Sequence, residues 1–87
     1  MTYQTYQIIK LSADFCNPCK VLSAKLEELG LKGYVKELDI DTAEGAEYVS
    51  TYGIRSVPSV IIISENDTKV FTGDNCLQAI QIAVGDC

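Results

Sequence analysis

Apolar residues occur in short blocks along the chain, and the spacing within each block predicts its secondary structure. Residues 7–11 are mostly apolar and favour a strand. From position 18 the spacing becomes helical, because Leu22, Leu26 and Leu29 stand at positions i, i+4 and i+7 and share one side. Gly30 is typical of the residue that follows a helix end. The polar residues of this segment are predicted to face away from the apolar side: Lys20, Ser23 and Glu27.

The remaining blocks predict three more strands and two more helices. The strands are expected at residues 34–40, 59–63 and 68–72, and the helices at 42–52 and 76–84. Thr42 suits the capping position of the first of these helices, and Gly53 suits its end. This helix is expected to turn three side chains inward: Ala46, Val49 and Tyr52.

The strand at 59–63 is rich in β-branched residues and apolar on both faces, which is typical of a central, buried strand. A turn at 65–67 would join it to the next strand as a hairpin. The predicted order is therefore βαβ-α-ββα, an α/β fold, and the βαβ unit implies that the first two strands are parallel.

Composition limits the range of functions. The 87 residues suffice for a single domain, 1–87, and 47% of them are hydrophobic, so a core can form without structural staples. The net charge of −5 argues against nucleic-acid binding, which needs a cationic surface. No apolar run is long enough to span a bilayer, and residues 1–7 lack the basic and apolar regions of a signal peptide. We therefore expect a cytoplasmic protein with no membrane or nucleic-acid partner.

Two of the four cysteines, Cys16 and Cys19, stand three positions apart. Between a strand and a helix, Cys-x-x-Cys is typical of a redox dithiol. Pro18 suits the first turn of a helix, which would place Cys16 at the helix start, where N–H groups and the helix dipole favour a thiolate. A disulfide across this short loop would stabilise the fold by only roughly 2 kcal/mol, against about 4 kcal/mol for a loop reaching Cys76. The short pair is therefore better suited to reversible chemistry than to holding the fold together.

Three segments of the chain resemble the thioredoxin superfamily. They are residues 13–20 around the dithiol, residues 38–41, and residues 52–60, which resemble the loop that carries the family's cis-proline. The resemblance extends from about residue 8 to residue 84. It implies a minimal thioredoxin fold of about the size of a glutaredoxin, with a central four-stranded mixed sheet flanked by helices.

The resemblance also implies a reaction. Cys16 would attack a substrate disulfide, and Cys19 would resolve the mixed disulfide, leaving Cys16–Cys19 oxidised. Val57, before a cis Pro58, would present backbone groups to an extended substrate segment. The residues implied in substrate binding are Phe15, Asn17, Pro18, Val57, Pro58 and Gly73.

The implied activity is that of a protein-disulfide reductant that carries a redox-active disulfide and no bound cofactor or metal. A thioredoxin reductase-type donor would supply electrons, and disulfide-containing proteins such as ribonucleotide reductase would receive them. The protein is expected to act as a monomer. Two alternatives stay open. One is a glutaredoxin-like enzyme that uses glutathione, which the break at residues 72–74 before the last helix favours. The other is a redox-inert peptide-binding module.

The chain departs from the family pattern at several positions. Phe15 stands where thioredoxins usually carry Trp, and Asn17 where they usually carry Gly, while the N-terminal strand and helix of longer thioredoxins are not expected here. Lys10 stands at the place of a buried Asp beneath the dithiol, and Glu37 at the place of a Lys on the neighbouring strand. We expect these two to form a partly buried pair that favours the thiolate and gives Glu37 the proton-relay role. The alternative is that Lys10 extends to the surface.

The other candidate residues have simpler expected roles. Cys76, on the apolar face of the last helix, is expected to be a small buried side chain, and Cys87 a mobile terminal residue. The chain has no His and no second Cys-x-x-Cys, so the sequence does not predict a metal site. A solvated face is expected from four acidic residues: Asp39, Asp41, Glu44 and Glu47.

Overall fold

The order of helices and strands is the one that the sequence predicts. The computed structural model describes residues 7–64 and 67–85. In chain order the elements are β1 (Gln7–Ser12), α1 (Asn17–Glu28), a 3₁₀ turn (Lys32–Tyr34), β2 (Lys36–Asp39), α2 (Ala43–Tyr52), β3 (Ser59–Ile63), β4 (Thr68–Thr72) and α3 (Asn75–Gly85). The α/β class and the βαβ-α-ββα arrangement are confirmed.

The described strands form one mixed sheet in the order β2-β1-β3-β4. β1 runs parallel to β2 and antiparallel to β3, and β3 and β4 are antiparallel. The parallel pairing of the first two strands is therefore confirmed. Residues 65 and 66 of the predicted turn lie outside the described residues.

Alternate residues of the sheet pack against helices on opposite faces. Ile8 and Val60 contribute to an apolar cluster with α1 and α3, whereas Ile9 and Ile61 contribute to a second cluster with α2. In β3, Ser59, Val60 and Ile61 have no exposed surface, which confirms the prediction of a central, buried strand. The short connection at residues 13–16 joins the end of β1 to the start of α1, where the dithiol lies.

Each helix is short: α1 has 12 residues, α2 has 10 and α3 has 11. Within residues 7–64 and 67–85, no helix is long and apolar enough to cross a membrane. α3 begins at Asn75, one residue before the predicted start.

The prediction that Leu29 belongs to the buried side of α1 is wrong. α1 ends at Glu28, and Leu29 is the capping residue, 47% exposed. Gly30 takes a left-handed conformation with φ 73°, and the Leu31 N–H donates to the Leu26 carbonyl at 2.8 Å. This reversal of the chain directs Leu31 onto the apolar cluster in place of Leu29.

The second strand is shorter than predicted, because it begins at Lys36 and not at residue 34. The Tyr34 N–H donates to the Leu31 carbonyl at 3.0 Å, and the Val35 N–H donates to the Lys32 carbonyl at 3.2 Å. These N–H groups are satisfied within the 3₁₀ turn and so do not join the sheet.

Ala46 is exposed, so its predicted inward orientation in α2 is wrong, whereas Val49 and Tyr52 contact the apolar cluster as predicted. Gly45 is the buried residue of the first turn of α2. A Cβ atom at that position would collide with the carbonyl oxygen of Asp39. The start of α2 therefore lies so close to the end of β2 that only glycine fits there.

Candidate active site

The dithiol lies at the start of α1. Cys16 is the N-terminal capping residue in an extended conformation, Asn17 is the first helical residue, and Pro18 lies in the first turn, as predicted. Cys16 and Cys19 are joined as a disulfide, with their Cα atoms 5.2 Å apart. The Cys19 N–H donates to Cys16 Sγ at 3.2 Å.

This position favours negative charge on Cys16 once the disulfide is reduced. The N–H that now donates to Cys16 Sγ would donate more strongly to a thiolate, and the positive end of the helix dipole lies on the same side. The first turn of α1 contains no acidic residue that would oppose this effect. Of the two cysteines, Cys16 therefore has the position expected of the nucleophile.

The loop before β3 closes over the dithiol. The Val57–Pro58 peptide bond is cis, the conformation that the resemblance implies, and the Val57 carbonyl oxygen lies 3.6 Å from Cys16 Sγ. The carbonyl oxygen of Pro58 accepts hydrogen bonds from the Gly73 N–H at 3.0 Å and from the Cys76 thiol at 3.4 Å. The loop is thereby fastened to the turn between β4 and α3.

A groove of about 530 Å³ runs from this loop between α1 and α3. Its walls include Pro18, Val57, Pro58 and Gly73, four of the six residues implied in substrate binding. The other two, Phe15 and Asn17, are exposed beside the dithiol and do not line the groove. The Phe15 side chain is 78% exposed, so an aromatic surface stands free next to Cys16.

Lys10 and Glu37 form an ion pair beneath this site. They are register partners on β1 and β2, and Lys10 Nζ lies 2.7 Å from Glu37 Oε2. Lys10 has no exposed surface, so the alternative in which it reaches the surface is wrong. The expected pair is present, although the Glu37 side chain keeps 39% of its surface exposed.

Ser23 joins the Lys10–Glu37 pair in one hydrogen-bonded cluster, a role that was not predicted from the sequence. Its hydroxyl accepts a hydrogen bond from Lys10 Nζ at 2.9 Å and donates one to Glu37 Oε2 at 3.0 Å. Ser12 donates a longer one, of 3.5 Å, to the same oxygen. Ser23 lies four residues after Cys19 and so on the same side of α1, and that spacing was the signal that could have identified it.

The environment of Glu37 keeps its carboxylate charged. Partial burial alone would raise the pKa of Glu37, but the hydrogen bond and charge of Lys10 and the hydrogen bond from Ser23 outweigh it. The net pKa lies below the ordinary value. Glu37 and Cys19 also line one cavity of about 360 Å³.

Cys76 is buried in the cluster between the sheet and α3, as expected for a small apolar side chain. Burial raises the pKa of its thiol to about 11, so that it stays protonated. Cys87 lies outside the described residues.

Comparisons with known proteins agree with this arrangement. A sequence model of the thioredoxin family matches residues 2–85. A thioredoxin of Rickettsia felis is 35% identical over 68 residues, covering 72% of this chain and 65% of the relative. An M-type chloroplast thioredoxin of Zea mays is 31% identical over 72 residues, covering 79% and 42%. The chain thus spans less than two thirds of the length of these relatives.

Solved structures show the same fold. Spinach chloroplast thioredoxin F, in its short form, superposes with a TM-score of 0.70 and 30% identity, covering 93% of this chain and 78% of that one. Thioredoxin of Fasciola hepatica superposes with a TM-score of 0.71 at 20% identity. The family match, the fold and the dithiol beside a cis-proline agree, and the chain belongs to the thioredoxin family.

Proposed function

We propose that the protein is a thiol–disulfide oxidoreductase that reduces protein disulfides through Cys16 and Cys19. The observation that carries this proposal is the disulfide at the start of α1, covered by the cis Val57–Pro58 loop, which also lines the neighbouring groove. Each part of that arrangement has a use in disulfide exchange.

The first step is an attack by Cys16. In the reduced protein its thiolate displaces one sulfur of a substrate disulfide, so that a Cys16–substrate disulfide forms and the substrate's other sulfur leaves as a thiolate. The buried ammonium of Lys10 and the helix dipole favour the thiolate form that this step requires.

The second step releases the substrate. Cys19 gives up its proton, and its thiolate attacks the Cys16 sulfur, which reforms the Cys16–Cys19 disulfide and expels the second substrate thiolate. The expelled thiolates take up protons, so two electrons and two protons pass from the dithiol to the substrate. Glu37 shares a cavity with Cys19 and has the charge needed to accept that proton.

The groove serves to dock an extended segment on either side of the substrate cysteine. The Val57 carbonyl oxygen stands 3.6 Å from Cys16 Sγ, where it can accept a hydrogen bond from a neighbouring substrate backbone. Pro18 and Gly73 line the groove, and exposed Phe15 and Asn17 extend the contact surface around it.

The proposed partners follow from this chemistry. A thioredoxin reductase-type donor would reduce the Cys16–Cys19 disulfide, and disulfide-containing proteins, ribonucleotide reductase among them, would reoxidise it. The dithiol itself carries the electrons, so no resident cofactor is required. We propose that the protein acts as a monomer in the cytoplasm, where thiols are kept reduced.

One assay tests the proposal. Reduction of insulin is followed in three separate reactions: with dithiothreitol, with NADPH and thioredoxin reductase, and with glutathione and its reductase. We expect activity in the first two reactions and none in a Cys16→Ser variant. Inactivity in all three would contradict the proposal and favour a redox-inert peptide-binding module.

Activity with glutathione alone would instead favour a glutaredoxin-like enzyme. The turn before α3 lies beside the groove, where such an enzyme would receive the glutathione carboxylate, but Asp74 lines that part of the groove and would repel it. We therefore propose the reductase-dependent reaction over the glutathione-dependent one.

A further inference from the structure

Ser23 connects the helix of the dithiol to the two central strands. It lies on α1, one turn after Cys19, and its hydroxyl contacts Lys10 on β1 and Glu37 on β2. It accepts from the ammonium and donates to the carboxylate, so both hydrogen-bonding functions of the hydroxyl are used. Three elements therefore meet at one oxygen atom.

The charges beneath the dithiol depend on this contact. Lys10 is fully buried, and among the described residues its ammonium group donates hydrogen bonds to Ser23 and Glu37 alone. A buried ammonium is tolerated only where acceptors replace its water. The Ser23 hydroxyl is thus one of two acceptors that hold the ammonium in place.

The carboxylate of Glu37 is oriented by the same contact. Its Oε2 atom receives the Lys10, Ser23 and Ser12 hydrogen bonds, whereas Oε1 receives none from the described residues. Glu37, Ser23 and Cys19 all line the cavity of about 360 Å³. Fixing one oxygen leaves the other available to water and, through water, to the Cys19 thiol.

We propose that Ser23 is a positioning residue for the second step of disulfide exchange. Its hydroxyl fastens the Lys10–Glu37 pair to α1, so that the carboxylate stays in reach of the Cys19 proton. This inference rests on the proposed function, because it assigns Ser23 to the resolving step of that reaction. The proton of Cys19 passes to Glu37, the Cys19 thiolate attacks Cys16, and the substrate thiolate leaves and is protonated.

Three variants separate positioning from a structural role. Ser23→Ala removes the hydroxyl, and Ser23→Thr keeps it at the same place. Ser50→Ala is the matched control, because Ser50 is an exposed helical serine with no side-chain hydrogen bond in the part of the chain that the structure describes.

The kinetic test measures both steps. Reduced protein is mixed with a disulfide-linked peptide, quenched with acid at successive times, and the Cys16–peptide disulfide is quantified by mass spectrometry. In Ser23→Ala we expect resolution to slow about three- to ten-fold near neutral pH, with the attack by Cys16 unchanged. The deficit should shrink as the pH rises, because hydroxide then takes the Cys19 proton, and Ser23→Thr should recover most of the rate. Equal slowing of both steps, or no slowing of resolution, would overturn the inference.

A second readout does not depend on activity. The Glu37 carboxyl carbon of the reduced protein is titrated by NMR, and loss of the Ser23 donor should raise the pKa of Glu37 by about half a unit. An unchanged titration would overturn the inference. A wild-type protein that forms no mixed disulfide would contradict the proposed function, and the Glu37 titration would then decide by itself whether Ser23 holds the carboxylate.

Discussion

Lys10 and Glu37 are opposite each other on adjacent parallel strands, and their charged atoms lie 2.7 Å apart in unequal surroundings. The lysine side chain is 0% exposed, whereas the glutamate side chain is 39% exposed. Water can therefore solvate the carboxylate if its partner is lost, but it cannot solvate the ammonium. This asymmetry determines how the two residues respond to substitution.

Removing the carboxylate charge should destabilise the protein more than removing the ammonium. Glu37→Gln leaves a buried lysine without a counter-charge, and we expect a loss of roughly 3 kcal/mol in the free energy of unfolding. Lys10→Met replaces the ammonium with an apolar side chain of similar length and should change that free energy by less than about 1 kcal/mol. Urea unfolding of both variants measures the difference. A greater loss in Lys10→Met would contradict this account.

Lys10→Met should also raise the pKa of the Cys16 thiol. We propose that the buried ammonium favours the thiolate, so its loss should shift the titration upward by up to about one unit. The measurement is the pH dependence of Cys16 alkylation in the reduced protein. Lys36→Met is the control, since Lys36 is an exposed residue of the neighbouring strand that pairs with Glu44. An unchanged Cys16 titration in Lys10→Met would exclude any tuning by this pair.

Glu37 should make the protein sensitive to acid. Burial opposes the effect, but Lys10 and Ser23 hold the pKa of folded Glu37 below its ordinary value of 4.5. The unfolded chain therefore binds the proton first, so the stabilisation is complete above about pH 4.5 and is lost as the pH falls through the lower folded pKa.

The acid sensitivity is measured by urea unfolding between about pH 7 and about pH 3. The gap in unfolding free energy between wild type and Glu37→Gln should narrow as the pH falls, because both proteins share every other carboxyl group. A difference in unfolding free energy that stays constant across this pH range would contradict the proposed effect of Glu37 protonation on stability.

Gly45→Ala should destabilise the protein by about 1 to 3 kcal/mol, because the new methyl group would press against the Asp39 carbonyl oxygen. Gly33→Ala is the matched control: no atom lies within 4 Å of its Cβ position. That variant should be neutral or slightly stabilising. Thermal unfolding of both variants tests the close contact between β2 and α2, and equal midpoints would refute it.

Cys76 should resist alkylation in the native, reduced protein. With a pKa raised to about 11 by burial, only about one Cys76 thiol in a thousand is ionised at pH 8. Iodoacetamide labelling followed by peptide mass spectrometry should find Cys16 modified first and Cys76 modified only in urea. Labelling of Cys76 at the rate of Cys16 would show that the site is open to solvent.

The parts of the site that lie in continuous segments could be predicted from the sequence. Cys16, Pro18 and Cys19 are adjacent in the chain, and the capping geometry follows from their spacing. The Lys10–Glu37 contact was predicted from the resemblance to thioredoxins, which aligns these residues with a charged pair of that family, and the register of β1 and β2 places them opposite each other.

The spacing of Ser23 four residues after Cys19 indicates that it lies on the dithiol side of α1, but it does not predict the contacts with the two strands. The leucine pattern predicts only that Ser23 faces away from the apolar side of α1. The side chain instead reaches across to β1 and β2, residues 13 and 14 positions away in the chain. Likewise, the spacing of apolar residues predicts that Leu29 is buried. The chain reversal at Gly30 instead places Leu31 against the apolar cluster. Both outcomes depend on how α1 and the residues after it pack against the rest of the protein. The spacing of residues within one helix does not contain that information.

The carbonyl oxygen of Pro58 binds both the Gly73 N–H and the Cys76 thiol. One acceptor thus fastens the cis-proline loop to the turn before α3, and one of the two groups that it accepts from, the Gly73 N–H, belongs to the main chain. The backbone therefore helps to fix the position of the loop over the disulfide, while side chains such as Val21 and Leu77 give the groove its apolar character. Substitutions at those side chains can therefore change the surface of the groove without altering the backbone contact that holds the loop over the disulfide.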